Sequence, residues 1–351
     1  MMEFRAARDV VRAAVSTRVF PGAVVEVGTA TRPVWQDAIG TLTYDQGAAS
    51  TRLDTVYDLA SLTKVLATAS IAMRAVEQGA IGLDDRVHQH AAAWGGTDRG
   101  DVTLRDLLSH SSGLPAWAPL YRTDEGANGF ERAICLTPLE YVPRARSTYS
   151  DLGFMLLGLI LSREHSLATR FDALWASIGA GEDLQFLPPT AWRFRTAPTE
   201  VDAWRRRLLV GEVHDENGFA LGGVAGHAGL FGTASAVGTF ARHILQVLDG
   251  WGGAFAQTML AECVARRVEI PDSSRALGWD TMLPTSSCGE RMSWRAFGHT
   301  GFTGTSLWID PDAGCYVVLL SNRVHPSRTG EGIDAVRAAF HDAVMERVDA
   351  R

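Results

Sequence analysis

Apolar positions along this chain follow two periods. Residues 3–18 alternate apolar and charged side chains at helical spacing, which predicts an amphipathic helix. Pro21-Gly22 then turns the chain into Ala23–Gly28, a β-rich run whose hairpin partner is Pro33–Ile39. Val56-Tyr57 leads to Asp58, which reads as a helix cap. Beyond it Leu62, Val65, Leu66, Ala69, Met73 and Val76 keep the i, i+3, i+4, i+7 spacing of an α-helix, and Gly79 ends it. The stretch from about 80 to 245 predicts mostly helices and loops, among them Thr103–Ser109, Asp151–Arg163 and Thr233–Leu248. Strand patterns return at Ala296–Phe297, Ser306–Ile309 and Tyr316–Leu320, and a last helix is predicted over about 329–348.

Strands at both ends around a helical middle predict an α+β fold: one antiparallel sheet built from both termini, flanked by terminal helices, with a mainly helical lobe inserted. The expected organisation is a single domain over 1–351. Its α/β lobe takes about 1–60 and 250–351, its helical lobe about 61–249, and a cleft lies at their junction.

Composition narrows the function. The chain has 351 residues, 46% hydrophobic and 21% charged, an ordinary globular balance. Net charge is −7, and the longest basic run is Arg205-Arg206-Arg207, read as a solvated helix face; neither fits a nucleic-acid partner. Cys135, Cys263, Cys288 and Cys315 form no CxxC pair and read as buried thiols. His88 and His90 lack a third ligand at zinc spacing, so no metal is expected. The glycine-rich stretch 218–232 carries no GxGxxG or GKS/GKT pattern; it reads as a backbone-dense loop lining the cleft, and no cofactor is expected. Tryptophans such as Trp117, Trp192 and Trp204 read as packing. Leu152–Leu161 is too short to span a bilayer, and the start of the chain lacks a signal-peptide core, so the expectation is a soluble, cytoplasmic protein with no membrane partner.

One count changes the picture. Of 33 basic residues a single one is lysine, Lys64. A surface cation can be either residue, but an amine that must lose its proton cannot be replaced by arginine. Lys64 ends the motif Ser61-Leu62-Thr63-Lys64, whose helical spacing puts hydroxyl and amine on one face. A helix N-terminus and desolvation would both lower the lysine pKa, making it a base for Ser61 as nucleophile. The Ser61 N–H, at a helix start, is free for an oxyanion.

Two downstream clusters fit that chemistry. In Tyr149-Ser150-Asp151 the phenol suits proton transfer to a leaving group; alone, the same residues read rather as a core tyrosine before a capping serine or aspartate. In His299-Thr300-Gly301 a histidine, a hydroxyl and a glycine suit a substrate carboxylate or carbonyl, with the strand N–H of Phe302 as second oxyanion donor. Alone, they read as a glycine-rich hairpin with an exposed histidine.

The ordered set SxxK, YxD and HTG resembles the serine β-lactamase and penicillin-binding-protein superfamily, closest to its class C branch, and covers about 10–345. Leu107–Leu114, Gly222–Phe231 and Ser321–Pro326 look like that branch, which includes D-alanyl-D-alanine carboxypeptidases and family VIII esterases, and the last two, with Val213-His214-Asp215, resemble penicillin-binding protein 4B-like sequences in particular. The resemblance implies a β-lactamase/transpeptidase-like fold and an acyl-enzyme hydrolase. In it Ser61 matches the nucleophile, Lys64 the base and Tyr149 the second proton-transfer residue. Asp151, His299, Thr300, Gly301 and Phe302 match substrate-binding positions. Asp151 stands where asparagine is usual, next to the substrate amide, and His299 where lysine is usual; both departures argue against strong β-lactamase activity. The implied substrate is a small acyl ester, a peptide or a β-lactam. The alternatives are an acyltransferase and a non-catalytic peptide- or β-lactam-binding protein on the same scaffold.

Overall fold

The structure, a computed structural model, describes residues 4–178, 181 and 183–349; residue 3 of the first predicted helix lies outside the described residues. In chain order the α-helices are α1 (Arg5–Ser16), α2 (Ser70–Glu77), α3 (Val87–His90), α4 (Leu104–Leu108), α5 (Gly126–Leu136), α6 (Asp151–Leu161), α7 (Leu167–Ile178), α8 (Glu216–Ala220), α9 (Ala234–Leu248), α10 (Gln257–Val264) and α11 (Ile333–Asp349). The strands are β1 (Gly22–Thr29), β2 (Pro33–Gly40), β3 (Tyr57–Asp58), β4 (Leu184–Phe186), β5 (Val201–Asp202), β6 (Arg207–Leu208), β7 (Leu230–Gly232), β8 (Asp280–Thr281), β9 (Phe297–Thr300), β10 (Ser306–Asp310) and β11 (Cys315–Ser321).

The fold is α+β. Its main sheet runs β2-β1-β11-β10-β9-β8, antiparallel throughout, so the first strands of the chain lie beside the last, with Val24 opposite Leu320. Successive strand residues face opposite ways. Val25, Val27, Val317 and Leu319 pack with α1 and α11, whereas Val24, Val318 and Leu320 pack with Val237, Phe240 and Ile244 of α9. Both faces are covered, which is why β1 and β11 read as nearly unbroken apolar runs. Helix α9 falls inside the range expected for the inserted lobe, yet one of its faces lies on the sheet.

The middle of the chain holds more than helices and loops. Strands β3, β7 and β4 form a small second sheet that sets Tyr57 opposite Gly232 and Asp58 opposite Phe231. These strands are two or three residues long, too short to show a period. Arg205-Arg206-Arg207 is not a helix face. It turns the β5–β6 hairpin, and the Arg205 side chain is buried, donating to the carbonyls of Val213 and His214 and pairing with Asp202. Trp117 and Trp204 are 46% and 44% exposed, outside the core that holds Trp94, Trp279 and Trp308.

Helix α6 is a core helix. Nearly all of Leu152–Leu161 is buried, and Gly158 meets Gly226 so closely that a Cβ on either would collide with backbone. That contact carries the loop 222–229 against α6. No helix among the described residues is long and apolar enough to cross a membrane. All four cysteines are buried, and no disulfide forms among the described residues. His90 pairs with Asp85 at 2.9 Å.

Candidate active site

Strand β3 delivers the chain to Ser61 through a strained turn. Asp58 is no helix cap in the ordinary sense: one carboxylate oxygen accepts the Ala60 N–H at 2.8 Å and the other the His214 N–H at 2.6 Å. Ala60 has φ 46°, left-handed for a residue with a Cβ, a conformation costing on the order of 1–3 kcal/mol that its surroundings must hold. Thr303 and Thr305 hydroxyls brace the turn from the far side, donating to the Asp58 and Leu59 carbonyls at 2.7 and 3.0 Å. Past Ser61 the expected α-helix is replaced by tight i→i+3 bonds and then a π-helical turn over Lys64–Ala69, before regular α2 begins. Ser61 and Lys64 still meet, with Lys64 Nζ 3.0 Å from Ser61 Oγ.

Lys64 has no exposed surface. Its ammonium donates to Ser61 Oγ, to Asp151 Oδ1 at 2.6 Å and to the His227 carbonyl at 3.2 Å. Burial works against its charge, but the Asp151 carboxylate and Tyr149 outweigh burial and hold its pKa above the ordinary lysine value. This reverses the expectation of a lowered pKa. Asp151 faces the lysine. Ser150 is the N-cap of α6, accepting the Gly153 N–H at 3.3 Å, and so puts Asp151 in the first turn.

Tyr149 sits at the centre of a ring of polar groups. Lys64 Nζ is 4.8 Å from its ring centroid and the Arg275 guanidinium 5.1 Å. The rings of His110 and His299 lie 4.7 and 5.7 Å away. Burial lifts the phenol's pKa and Lys64 pulls it down; the net direction is up, so the resting phenol is neutral. His110 Nδ1 accepts the Ser150 N–H at 3.0 Å, and its carbonyl accepts the Thr148 N–H at 2.9 Å. Those bonds fix the loop that carries Tyr149.

His299 is buried, not exposed on a hairpin. Its Nδ1 donates to the Thr300 carbonyl at 2.7 Å, which leaves Nε2 as an unpartnered acceptor. Burial, helped by Arg275, holds its pKa well below the ordinary value, so the ring is neutral and offers an anion no charge. Strand β9 stops at Thr300, so Phe302 lies in the turn after the strand rather than in it. Neither the Ser61 nor the Phe302 N–H donates to a protein acceptor among the described residues. Ser61, Tyr149, His299, Thr300, Gly301 and Phe302 line one cavity of about 530 Å³, together with Arg275, Arg323 and Arg337.

Residues 7–341 match the family described as Beta-lactamase. The chain belongs to the Beta-lactamase family. Among its relatives, a protein of Escherichia coli (strain K12) named "Putative D-alanyl-D-alanine carboxypeptidase" is 34% identical over 311 residues, 77% of this chain and 70% of that one. A protein of the same name from Salmonella gallinarum is 31% identical over 318 residues, 78% and 70% of the two chains. The fold is that of solved structures at low identity. The class C β-lactamase from Rhodobacter sphaeroides has a TM-score of 0.75 at 20% identity, over 97% of this chain and 99% of that one. EstCE1, described as a hydrolase with promiscuous acyltransferase activity, has the same score and identity over 97% and 98%. This Beta-lactamase family chain is a serine hydrolase.

Sequence reasoning missed Arg275, Arg323 and Arg337. In a chain whose basic residues are almost all arginine, no single arginine stands out. Arg337 on α11 is buried and donates to the Gly301 and Thr305 carbonyls at 2.7 and 2.9 Å. It fixes the turn carrying Phe302. His110 was present only inside a family-like phrase, with no signal that it would pack under Tyr149.

Proposed function

We propose that this Beta-lactamase family chain cleaves an amide or ester whose leaving group ends in a carboxylate, through an acyl ester on Ser61. The observation that carries the reading is that Ser61 and Arg275 share one cavity while Lys64 Nζ lies 3.0 Å from Ser61 Oγ. A D-alanyl-D-alanine peptide is the substrate class that fits best. Its terminal carboxylate meets Arg275 and the Thr300 hydroxyl, a charge-assisted pairing that neutral His299 does not supply.

In this reading Ser61 Oγ attacks the carbonyl carbon and its proton passes to Lys64. The oxyanion lies between the Ser61 and Phe302 N–H groups. The Tyr149 hydroxyl, replenished from Lys64, protonates the departing nitrogen or oxygen. Water then repeats the sequence on the acyl ester and frees Ser61. A binding-only role would need neither the buried amine nor its contact with the hydroxyl.

The test is release of D-alanine from a blocked D-alanyl-D-alanine peptide, beside a nitrophenyl butyrate and nitrocefin, with mass spectrometry of the Ser61 peptide after a fluorescent penicillin. Expected are D-alanine release and a penicilloyl adduct on Ser61, both lost in Ser61→Ala. Turnover unchanged in Ser61→Ala overturns the reading.

A further inference from the structure

We propose that Asp151 is the proton store of this site: Lys64 becomes a free amine by handing a proton to Asp151 Oδ1, not to solvent. The inference rests on Ser61 as nucleophile and Lys64 as its base. It explains how a lysine held as an ammonium acts as a base at all.

The contacts of Nζ set the problem. An ammonium has three N–H bonds and no lone pair, and all three here meet acceptors: Ser61 Oγ, Asp151 Oδ1 and the His227 carbonyl. In that state the lysine donates to Ser61 and cannot take its proton. Losing a proton to bulk water would strand the Asp151 carboxylate beside a neutral amine, the costly half of a broken ion pair. Lys64 itself touches no solvent. Transfer along the 2.6 Å bond to Asp151 changes no net charge.

The step balances. The resting set is Ser61 hydroxyl, Lys64 ammonium and Asp151 carboxylate. One Nζ–H bond breaks as an Asp151 Oδ1–H bond forms, and rotation about Cε–Nζ turns the new lone pair to Ser61. Ser61 Oγ–H then breaks as Nζ–H re-forms, and Oγ bonds to the carbonyl carbon. The negative charge that left Asp151 now sits on the oxyanion. When the leaving group takes a proton through Tyr149, Lys64 recovers one from Asp151, which restores the ammonium and carboxylate beside the acyl ester; the Ser61 hydroxyl returns once water has cleaved that ester. An asparagine at 151 keeps the shape and one acceptor but cannot hold that proton.

The other charged or titratable groups around the pair are Tyr149 and His110 from the α6 side, His227 from the glycine-rich loop and Asp215 from the cap of α8, and His299 and Arg275 from the sheet side. His227 Nε2 and Asp215 Oδ1 pair with each other at 2.7 Å, so that carboxylate is already committed. Asp151 is the carboxylate in contact with Nζ, and with about a fifth of its side chain exposed it is also where the pair meets solvent.

Because Lys64 is the chain's one lysine, lysine labelled with carbon-13 at Cε gives one side-chain resonance. In the wild type that resonance is expected to keep its ammonium shift from pH 6 to 9 while kcat/KM changes less than threefold. A wild-type resonance titrating in that window overturns the proposal, since Lys64 would then be losing its proton to solvent. In Asp151→Asn, kcat/KM at pH 6 is expected to fall at least tenfold relative to pH 9, and Asp151→Glu to restore the flat profile. An Asp151→Asn profile parallel to wild type also overturns it. A Ser61→Ala variant that keeps turnover removes the reading of the whole site, whatever the lysine resonance shows.

Discussion

Asp58 holds Ala60. The carboxylate accepts the Ala60 N–H at 2.8 Å, and this bond closes the left-handed turn that presents Ser61. Asp58 also accepts from His214, so one buried carboxylate ties the serine to the loop before α8. Asp58→Asn must turn its amide toward one of the two N–H groups and loses that acceptor. The serine is then expected to drift within the cavity. Turnover of a nitrophenyl ester should fall about 10²-fold, mostly in kcat. The melting temperature should fall as well, since an unpaired buried N–H costs about 1–3 kcal/mol. Steady-state kinetics with thermal unfolding checks both; an unchanged kcat removes Asp58 from the positioning of Ser61.

Lys64→Arg separates charge from basicity. Arginine can keep the pairing with Asp151 and the fold, yet it does not deprotonate. Turnover is expected to drop about 10²–10⁴-fold at every pH from 6 to 9. Urea unfolding should show a folded variant. A folded variant retaining a tenth or more of the wild-type rate refutes the amine as base.

Arg275→Met tests the leaving-group side. A charge-assisted hydrogen bond to a carboxylate is worth about 1.5–3 kcal/mol, so KM for a carboxylate-ended peptide should rise about 10–100-fold. A neutral nitrophenyl ester, with nothing for the guanidinium to hold, should keep its KM. Equal effects on both substrates would mean that Arg275 serves Tyr149, 5.1 Å from its guanidinium, and not the carboxylate.

Much of the fold was legible because long strands buried on both faces must be apolar. Val24, Val25 and Val27, and Val317–Leu320, could hardly read otherwise. The Ser61–Lys64 pair was legible for a different reason, since a chain that writes its cations as arginine marks the place that cannot be one. What stayed hidden is what contacts decide. The residues of β3 and β7 are too few to carry a period, so nothing announced that Asp58 would face His214. Nothing between positions 64 and 151 says that the α6 cap turns Asp151 onto the lysine. The sequence supplied desolvation of Lys64 without the counterion, and the direction of its pKa came out reversed. The π-helical turn after Lys64 has no residue signature either; the Ser70 hydroxyl, bonded back to the Val65 carbonyl at 2.7 Å, marks it only once the chain is folded.

Away from the cavity, Glu200 predicts a pH dependence of stability. Burial alone would raise its pKa, but it accepts hydrogen bonds from His214 Nε2 at 2.9 Å and from the backbone and side chain of Arg328 at 3.1 and 2.7 Å, and these bring it down to about 2. The folded carboxyl therefore titrates below the unfolded one. Its stabilisation is fully present above the ordinary glutamate value near 4.5 and is lost as pH falls toward 2. The shift corresponds to at most about 3 kcal/mol, reduced toward 1 kcal/mol by solvent around the half-exposed Arg328. Glu200→Gln mimics the protonated side chain, so the variant should be about 1–3 kcal/mol less stable than wild type at pH 7. The gap should close between about pH 4.5 and 2, where the wild-type side chain becomes neutral too. Acid-labile groups that do not touch Glu200 are common to both proteins and cancel in the difference. Urea unfolding of the pair at pH 7, 4 and 2.5 measures it; a gap that stays constant or widens on acidification would show that Glu200 stabilises through shape and not through charge.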